Sequence, residues 1–114
     1  VPLPVTGAFH SPFMAGAEPQ FAAALAEIEF ATPTTTVISS VTTEPFDDPR
    51  ARLAAALTQP VRWRETLLAL HERGVTRFVE TGPGKVLTGL VRRTVAGVEA
   101  TTADQLLARE PADA

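Results

Sequence analysis

The sequence predicts an α/β fold in which helices alternate with short apolar strands of a mainly parallel sheet, covered on both faces. Three observations carry that expectation. A β-branched run at residues 35–41 lies between Pro33 and Pro45. A second short apolar run at residues 77–80 is followed at once by Gly82-Pro83-Gly84. Between and around these runs the apolar residues recur at helical spacing.

Taken in order, residues 1–6 read as an extended segment. Pro2 and Pro4 restrict it to an edge or terminal strand, since each removes a ladder donor. Ser11-Pro12 opens a helix, with Ser as N-cap and Pro in the first turn. Phe21, Leu25 and Ile28 then form one stripe on an alanine-rich helix, broken or kinked near its start by Pro19. Residues 35–41 read as a strand. Asp47-Asp48-Pro49 starts a helix that runs to about Leu57, and Gln59-Pro60 interrupts it. The next helix carries Val61, Trp63, Leu67 and Leu70 and stops at Arg73-Gly74. Residues 77–80 form a strand, Gly82-Pro83-Gly84 a turn, and Val86, Leu87, Leu90, Val91 and Val95 the apolar face of a final helix. Residues 99–114 show little periodicity and are expected to be a loose tail.

Composition excludes several classes. Hydrophobic residues make up 45% and charged residues 20%, which suits a folded globular chain. The net charge of −3 argues against a partner bound by phosphate neutralisation, so no nucleic acid is expected. With no Cys there is no disulfide framework, thiolate nucleophile or Cys-based zinc site, which is compatible with the cytoplasm. No metal-ligand cluster stands out. No apolar run approaches the roughly 20 residues that span a bilayer, so no membrane association is expected. The start lacks an initiator Met and a signal-peptide pattern, as a cut or processed piece would. The sheet also looks too small for its helices: two strong strands do not make a stable doubly covered α/β domain, and a partner segment is expected to supply the rest.

The chemistry centres on His10, in Gly7-Ala8-Phe9-His10-Ser11-Pro12-Phe13-Met14, between an extended run and a helix. A neutral imidazole there can take a proton from a hydroxyl and return it to a leaving thiolate, or it can simply cap a loop. Ser11, Ser39 and Ser40 are the chain's serines, and none lies in a Gly-x-Ser-x-Gly elbow. Ser11 is read as a helix cap. Gly82-Pro83-Gly84-Lys85 is not a phosphate-binding loop, because the first glycine position is Val79 and no Ser or Thr follows Lys85. It is read as a tight turn into a helix. His71 is read as exposed or capping near a helix end.

The block around His10, followed by Val79-Glu80-Thr81-Gly82-Pro83-Gly84-Lys85-Val86-Leu87-Thr88-Gly89-Leu90, resembles the C-terminal part of malonyl-CoA:acyl carrier protein transacylases. The resemblance covers residues 1–95, about the last third of such an enzyme. It implies the C-terminal part of an α/β-hydrolase-like large subdomain at residues 7–98, with residues 1–6 as the last strand of a ferredoxin-like small subdomain. It also implies that His10 is a general base in ping-pong transfer of malonyl from CoA to a carrier-protein phosphopantetheine thiol. In the family this histidine is oriented by a backbone carbonyl four residues before the Pro of a Pro-Val-x-Trp motif. Here the motif is Pro60-Val61-Arg62-Trp63 and the carbonyl is that of Ala56.

Phe9 matches the aromatic of malonyl-selecting members, where a ring fills the space of an α-methyl branch; packing is the competing reading. Ser40 stands where many relatives have Asn. The resemblance implies malonyl-CoA and acyl carrier protein as substrate and partner, and no cofactor bound by this chain. It further implies a complementary N-terminal segment that carries Gly-His-Ser-x-Gly, without which this chain is inactive. A non-catalytic module on the same scaffold, or a piece of a polyketide synthase acyltransferase domain, remain the alternatives.

Overall fold

The computed structural model describes residues 2–109. Its element order is a 3-10 turn at Pro12–Ala17, α1 (Glu18–Ala26), α2 (Pro49–Ala56), α3 (Trp63–Glu72), β1 (Arg77–Glu80), α4 (Val86–Thr94), β2 (Glu99–Thr102) and α5 (Ala103–Arg109). The chain divides into two compact units between Thr66 and Leu67, inside α3.

In the first unit, Pro19 falls in the first turn of α1 and the preceding helical turn is 3-10, so the proline marks a change of helix type. The expected stripe is only partly buried. Leu25 is enclosed, whereas Phe21 lines a cleft of about 360 Å³ with Ala17, Gln20, Ala24 and Leu57. α2 begins as its sequence dictates. The Asp48 side chain accepts from the Ala51 amide at 3.2 Å, and Pro49 occupies the first turn. Arg50 ties the two helices together. Its guanidinium donates to the Leu25 carbonyl at 3.3 Å and to the Ile28 carbonyl, and lies 5.2 Å from the Phe30 ring centroid.

Two expected strands are absent here. Residues 2–6 hold no strand, and the Val5 amide turns back onto Leu3 O at 2.8 Å; Val1 lies outside the described residues. Two prolines leave too few donors for a ladder. Residues 35–41 form only an isolated antiparallel bridge between Ile38 and Pro45. The Thr43 amide bonds Ser39 O at 2.8 Å, and the Ser39 amide bonds Glu44 O at 2.9 Å. The chain therefore folds back on itself, with Thr43 in the left-handed region at φ 64°. β-branching favours a strand only where a neighbour completes the ladder.

The second unit is a compact β-α-β arrangement. α3 ends with Gly74 at φ 91°. The Gly74 amide bonds His71 O at 2.9 Å and the Val75 amide bonds Leu70 O at 3.1 Å, the paired bonds of a glycine-terminated helix. His71 Nδ1 also lies 3.3 Å from Val75 O, at the helix end where the sequence puts it. β1 and β2 pair in parallel, with Arg77 opposite Glu99 and Glu80 opposite Thr102. α4 buries Thr88, Val91 and, at its end, Val95, but leaves Val86 73% exposed.

The tail is the main correction. Residues 99–109 form β2 and α5 rather than a loose segment, while residues 110–114 lie outside the described region. β2 reads Glu-Ala-Thr-Thr, which has no apolar signature, yet Ala100, Thr101 and Thr102 are buried. Partners on neighbouring elements make that possible: Thr88 Oγ1 lies 3.3 Å from Thr101 O, and Arg92 donates to Ala100 O at 2.8 Å. Polar residues pass as core when their hydrogen bonds are met.

Candidate active site

His10 is held at both ends by one helix terminus. Its ring Nδ1 lies 2.7 Å from Ala56 O, and its backbone amide donates to Leu57 O at 3.0 Å. These carbonyls are consecutive, at the end of α2, where the last turn leaves acceptors free. A carbonyl only accepts, so Nδ1 carries the hydrogen, and in the neutral ring the lone pair is on Nε2. The backbone of His10 is left-handed, at φ 59°. That conformation costs a non-glycine residue about 1–3 kcal/mol, and the two bonds to α2 offset it. The side chain is exposed, so Nε2 is open to an incoming group.

The neighbours of His10 take different parts. Phe9 is 57% exposed rather than packed in a core. Its ring lies over Gly7, where an added Cβ would sit 3.1 Å from Cε2 and 3.2 Å from Cζ. Ser11 occupies the position before the helical turn, but its side chain makes no capping bond. It turns back and donates to Ala8 O at 2.5 Å, which ties up its hydroxyl hydrogen. Ser40 contributes through its backbone: its carbonyl accepts the Arg62 amide at 2.7 Å.

The helix start that follows Gly82-Pro83-Gly84 has its amides already occupied. Gly82 and Gly84 take φ of 93° and 87°, which makes the turn possible. The amides of Leu87 and Thr88, at the start of α4, both bond the Glu80 carboxylate, at 3.1 and 2.7 Å. The chain thus caps this helix with its own acid. The Thr88 hydroxyl and amide hold the Glu80 pKa below its ordinary value, with a further contribution from the Leu87 amide. Among the described residues, no group of three or more His, Asp or Glu is placed to hold a metal ion, and no helix is long and apolar enough to cross a membrane.

Sequence reasoning singled out His10 and Ala56 together, and the structure puts them in contact. It missed the Leu57 carbonyl, because a backbone acceptor leaves no trace in residue type. It also missed the Glu80 cap, whose seven- and eight-residue reach matches no local capping pattern.

No family profile matches the chain. Individual proteins do. The chain is 44% identical over 109 residues to the malonyl CoA-acyl carrier protein transacylase of Synechocystis, which covers 93% of this chain and 37% of that protein. Among solved structures, it is similar to an acyl carrier protein S-malonyltransferase from Vibrio cholerae, with a TM-score of 0.88 and 37% identity over 96% of this chain and 38% of the other. It is also similar to a malonyl-transacylase solved in complex with a type II polyketide synthase acyl-carrier protein, with a TM-score of 0.82 and 36% identity over 90% of this chain and 34% of that one. The chain therefore spans little more than a third of the length of these relatives.

Proposed function

We infer, from a chain homologous to part of the malonyl-CoA:acyl carrier protein transacylases, that His10 is the general base of such an enzyme. The observation that carries the reading is the 2.7 Å contact between His10 Nδ1 and Ala56 O, which leaves Nε2 as the free base. The nucleophilic serine, the oxyanion donors and an arginine for the malonyl carboxylate belong to a complementary N-terminal segment with a Gly-His-Ser-x-Gly elbow.

Each proton has a defined route. Nε2 takes the serine proton as the serine oxygen attacks the malonyl thioester carbonyl. The tetrahedral adduct collapses, the carbon–sulfur bond breaks, and the CoA thiolate takes the proton from Nε2. The carrier-protein thiol then gives its proton to Nε2 and attacks the malonyl-serine ester. The serine oxygen leaves and recovers the proton. The Ala56 carbonyl stabilises the imidazolium at each stage, the part an Asp plays in other triads. The chain binds no cofactor in this scheme; CoA and phosphopantetheine arrive with substrate and partner. Acyl carrier protein is the partner, a reading supported by the similar transacylase solved with one. That same likeness supports service in polyketide synthesis.

The test is intact-mass analysis of this chain together with the serine-bearing segment, before and after malonyl-CoA. The expected result is a malonyl group on the other segment, none on this chain, and loss of labelling with His10→Ala. Labelling of this chain, or labelling indifferent to His10→Ala, would overturn the reading.

A further inference from the structure

Ser39 and its loop have no part in the scheme above, yet they form a densely hydrogen-bonded buried feature. Ser39 is 5% exposed. Its Oγ accepts the amides of Val41 and Thr42 at 3.2 and 3.3 Å, its own amide bonds Glu44 O at 2.9 Å, and its carbonyl accepts the Thr43 amide at 2.8 Å. Four hydrogen bonds on one small residue fix a six-residue loop that includes a left-handed threonine. The next residue in this loop, Ser40, accepts the Arg62 amide on its carbonyl at 2.7 Å.

Arg62 in turn follows the end of α2 by a short span. Its carbonyl accepts both the amide and the hydroxyl of Thr66, at 2.9 and 2.7 Å, so it is held from both sides. Only four residues separate Arg62 from Leu57, and Pro60 stiffens them. Within those four, Thr58 bonds back to Ala55 O and the Gln59 amide to Ala56 O. The two carbonyls that hold His10 therefore lie on a short, bonded span with Ser40 fixed at its far end.

We propose that Ser39 is a positioning residue for His10, acting through the Ser40 carbonyl and the Arg62 amide on the Ala56–Leu57 acceptors. The consequence for catalysis rests on the general-base reading of His10. The positioning itself does not, and it is read without any activity.

The measurement is the ring tautomer of His10, from long-range ¹H–¹⁵N spectra of the 114-residue chain in a His71→Gln background, at a pH where the neutral imidazole dominates. The parent should show the Nδ1–H form. Ser39→Ala removes an acceptor from the buried Val41 amide and should lower the ratio of Nδ1–H to Nε2–H about tenfold. Ser39→Thr, which keeps the hydroxyl, should restore it. A second pair keeps the test sound if Ser39→Ala does not fold: Arg62→Pro deletes the amide, Arg62→Ala keeps it. Arg62→Pro should lower the ratio and Arg62→Ala should not. A folded Ser39→Ala or Arg62→Pro chain with the parental tautomer would overturn the proposal, as would an equal loss in Arg62→Ala. If the tautomer responds as expected but His10→Ala leaves malonyl transfer intact, the positioning stands and the catalytic reading fails.

Discussion

Glu80 takes two hydrogen bonds from Thr88, one from its amide and one from its hydroxyl, each 2.7 Å long and both on the same carboxylate oxygen. The last residue of β1 thereby fixes the first turn of α4, across a turn built on two glycines of positive φ. An acid at this end also complements the helix dipole.

This pairing predicts a pH dependence. The folded-state pKa of Glu80 is lowered by Thr88 and Leu87, so its contribution is complete above the ordinary glutamate range. It is lost as the pH falls through that range to the lower folded value. Urea denaturation between neutral pH and pH 3 should reveal a stability loss that Glu80→Gln reduces, because the variant lacks the titrating group. Thr88→Val, which deletes a buried hydroxyl, should cost about 1–2 kcal/mol at neutral pH.

Ala56 acts through its backbone, so its side chain is open to change. In the transacylase proposed above, Ala56→Gln should leave kcat/KM within about twofold, whereas His10→Ala should lower it by roughly 10²–10⁴-fold. Steady-state transfer from malonyl-CoA to carrier protein checks both. A large loss in Ala56→Gln would mean that the side chain, not the carbonyl, matters there.

Phe9 tests selectivity. The residue is 57% exposed, and under the substrate-selecting role expected from the resemblance Phe9→Ser should improve methylmalonyl transfer relative to malonyl by about 1–3 kcal/mol of discrimination. Competition between the two CoA esters reads the ratio directly. An unchanged ratio would sink the steric account.

Asp47 and Asp48 are adjacent but unequal. Asp48 caps α2 through the Ala51 amide, and Asp48→Ala should destabilise the chain by about 1 kcal/mol. Asp47 bonds Arg52 at 2.8 Å on the surface, where their side chains are 64% and 46% exposed. Arg52, then the Asp48 amide, holds the Asp47 carboxyl well below the usual range, but solvent and salt screen the pair. Asp47→Asn should therefore shift the thermal midpoint less than Asp48→Ala, and the shift should shrink in high salt.

What could be read in advance divides along physical lines. α2, α3 and β1 announce themselves through local signals: an Asp-Pro start, an Arg-Gly stop and a short apolar run before glycines. The Ala56 contact was accessible only by resemblance, since one alanine in a run of three has nothing to distinguish it. The elements that failed depend on distant partners. Residues 35–41 have strand propensity but no ladder, and the backbone around Ser39 closes on itself instead. β2 has the opposite character, with weak local preference and a place made for it by Arg77, Thr88 and Arg92. Val86 and Leu87 have helical spacing, yet they are exposed at the first turn of α4, where Glu80 accepts the Leu87 and Thr88 amides.

The parallel pairing of β1 with β2 also dictates an order of events during synthesis. On a ribosome the chain appears from its N-terminus, so β1 emerges before β2, its partner among the described residues. α4 can form meanwhile, with Glu80 already capping it. The β1–β2 pairing waits until Thr102 has cleared the exit tunnel, more than twenty residues after β1. Until then the edge of β1 that β2 takes lacks that partner.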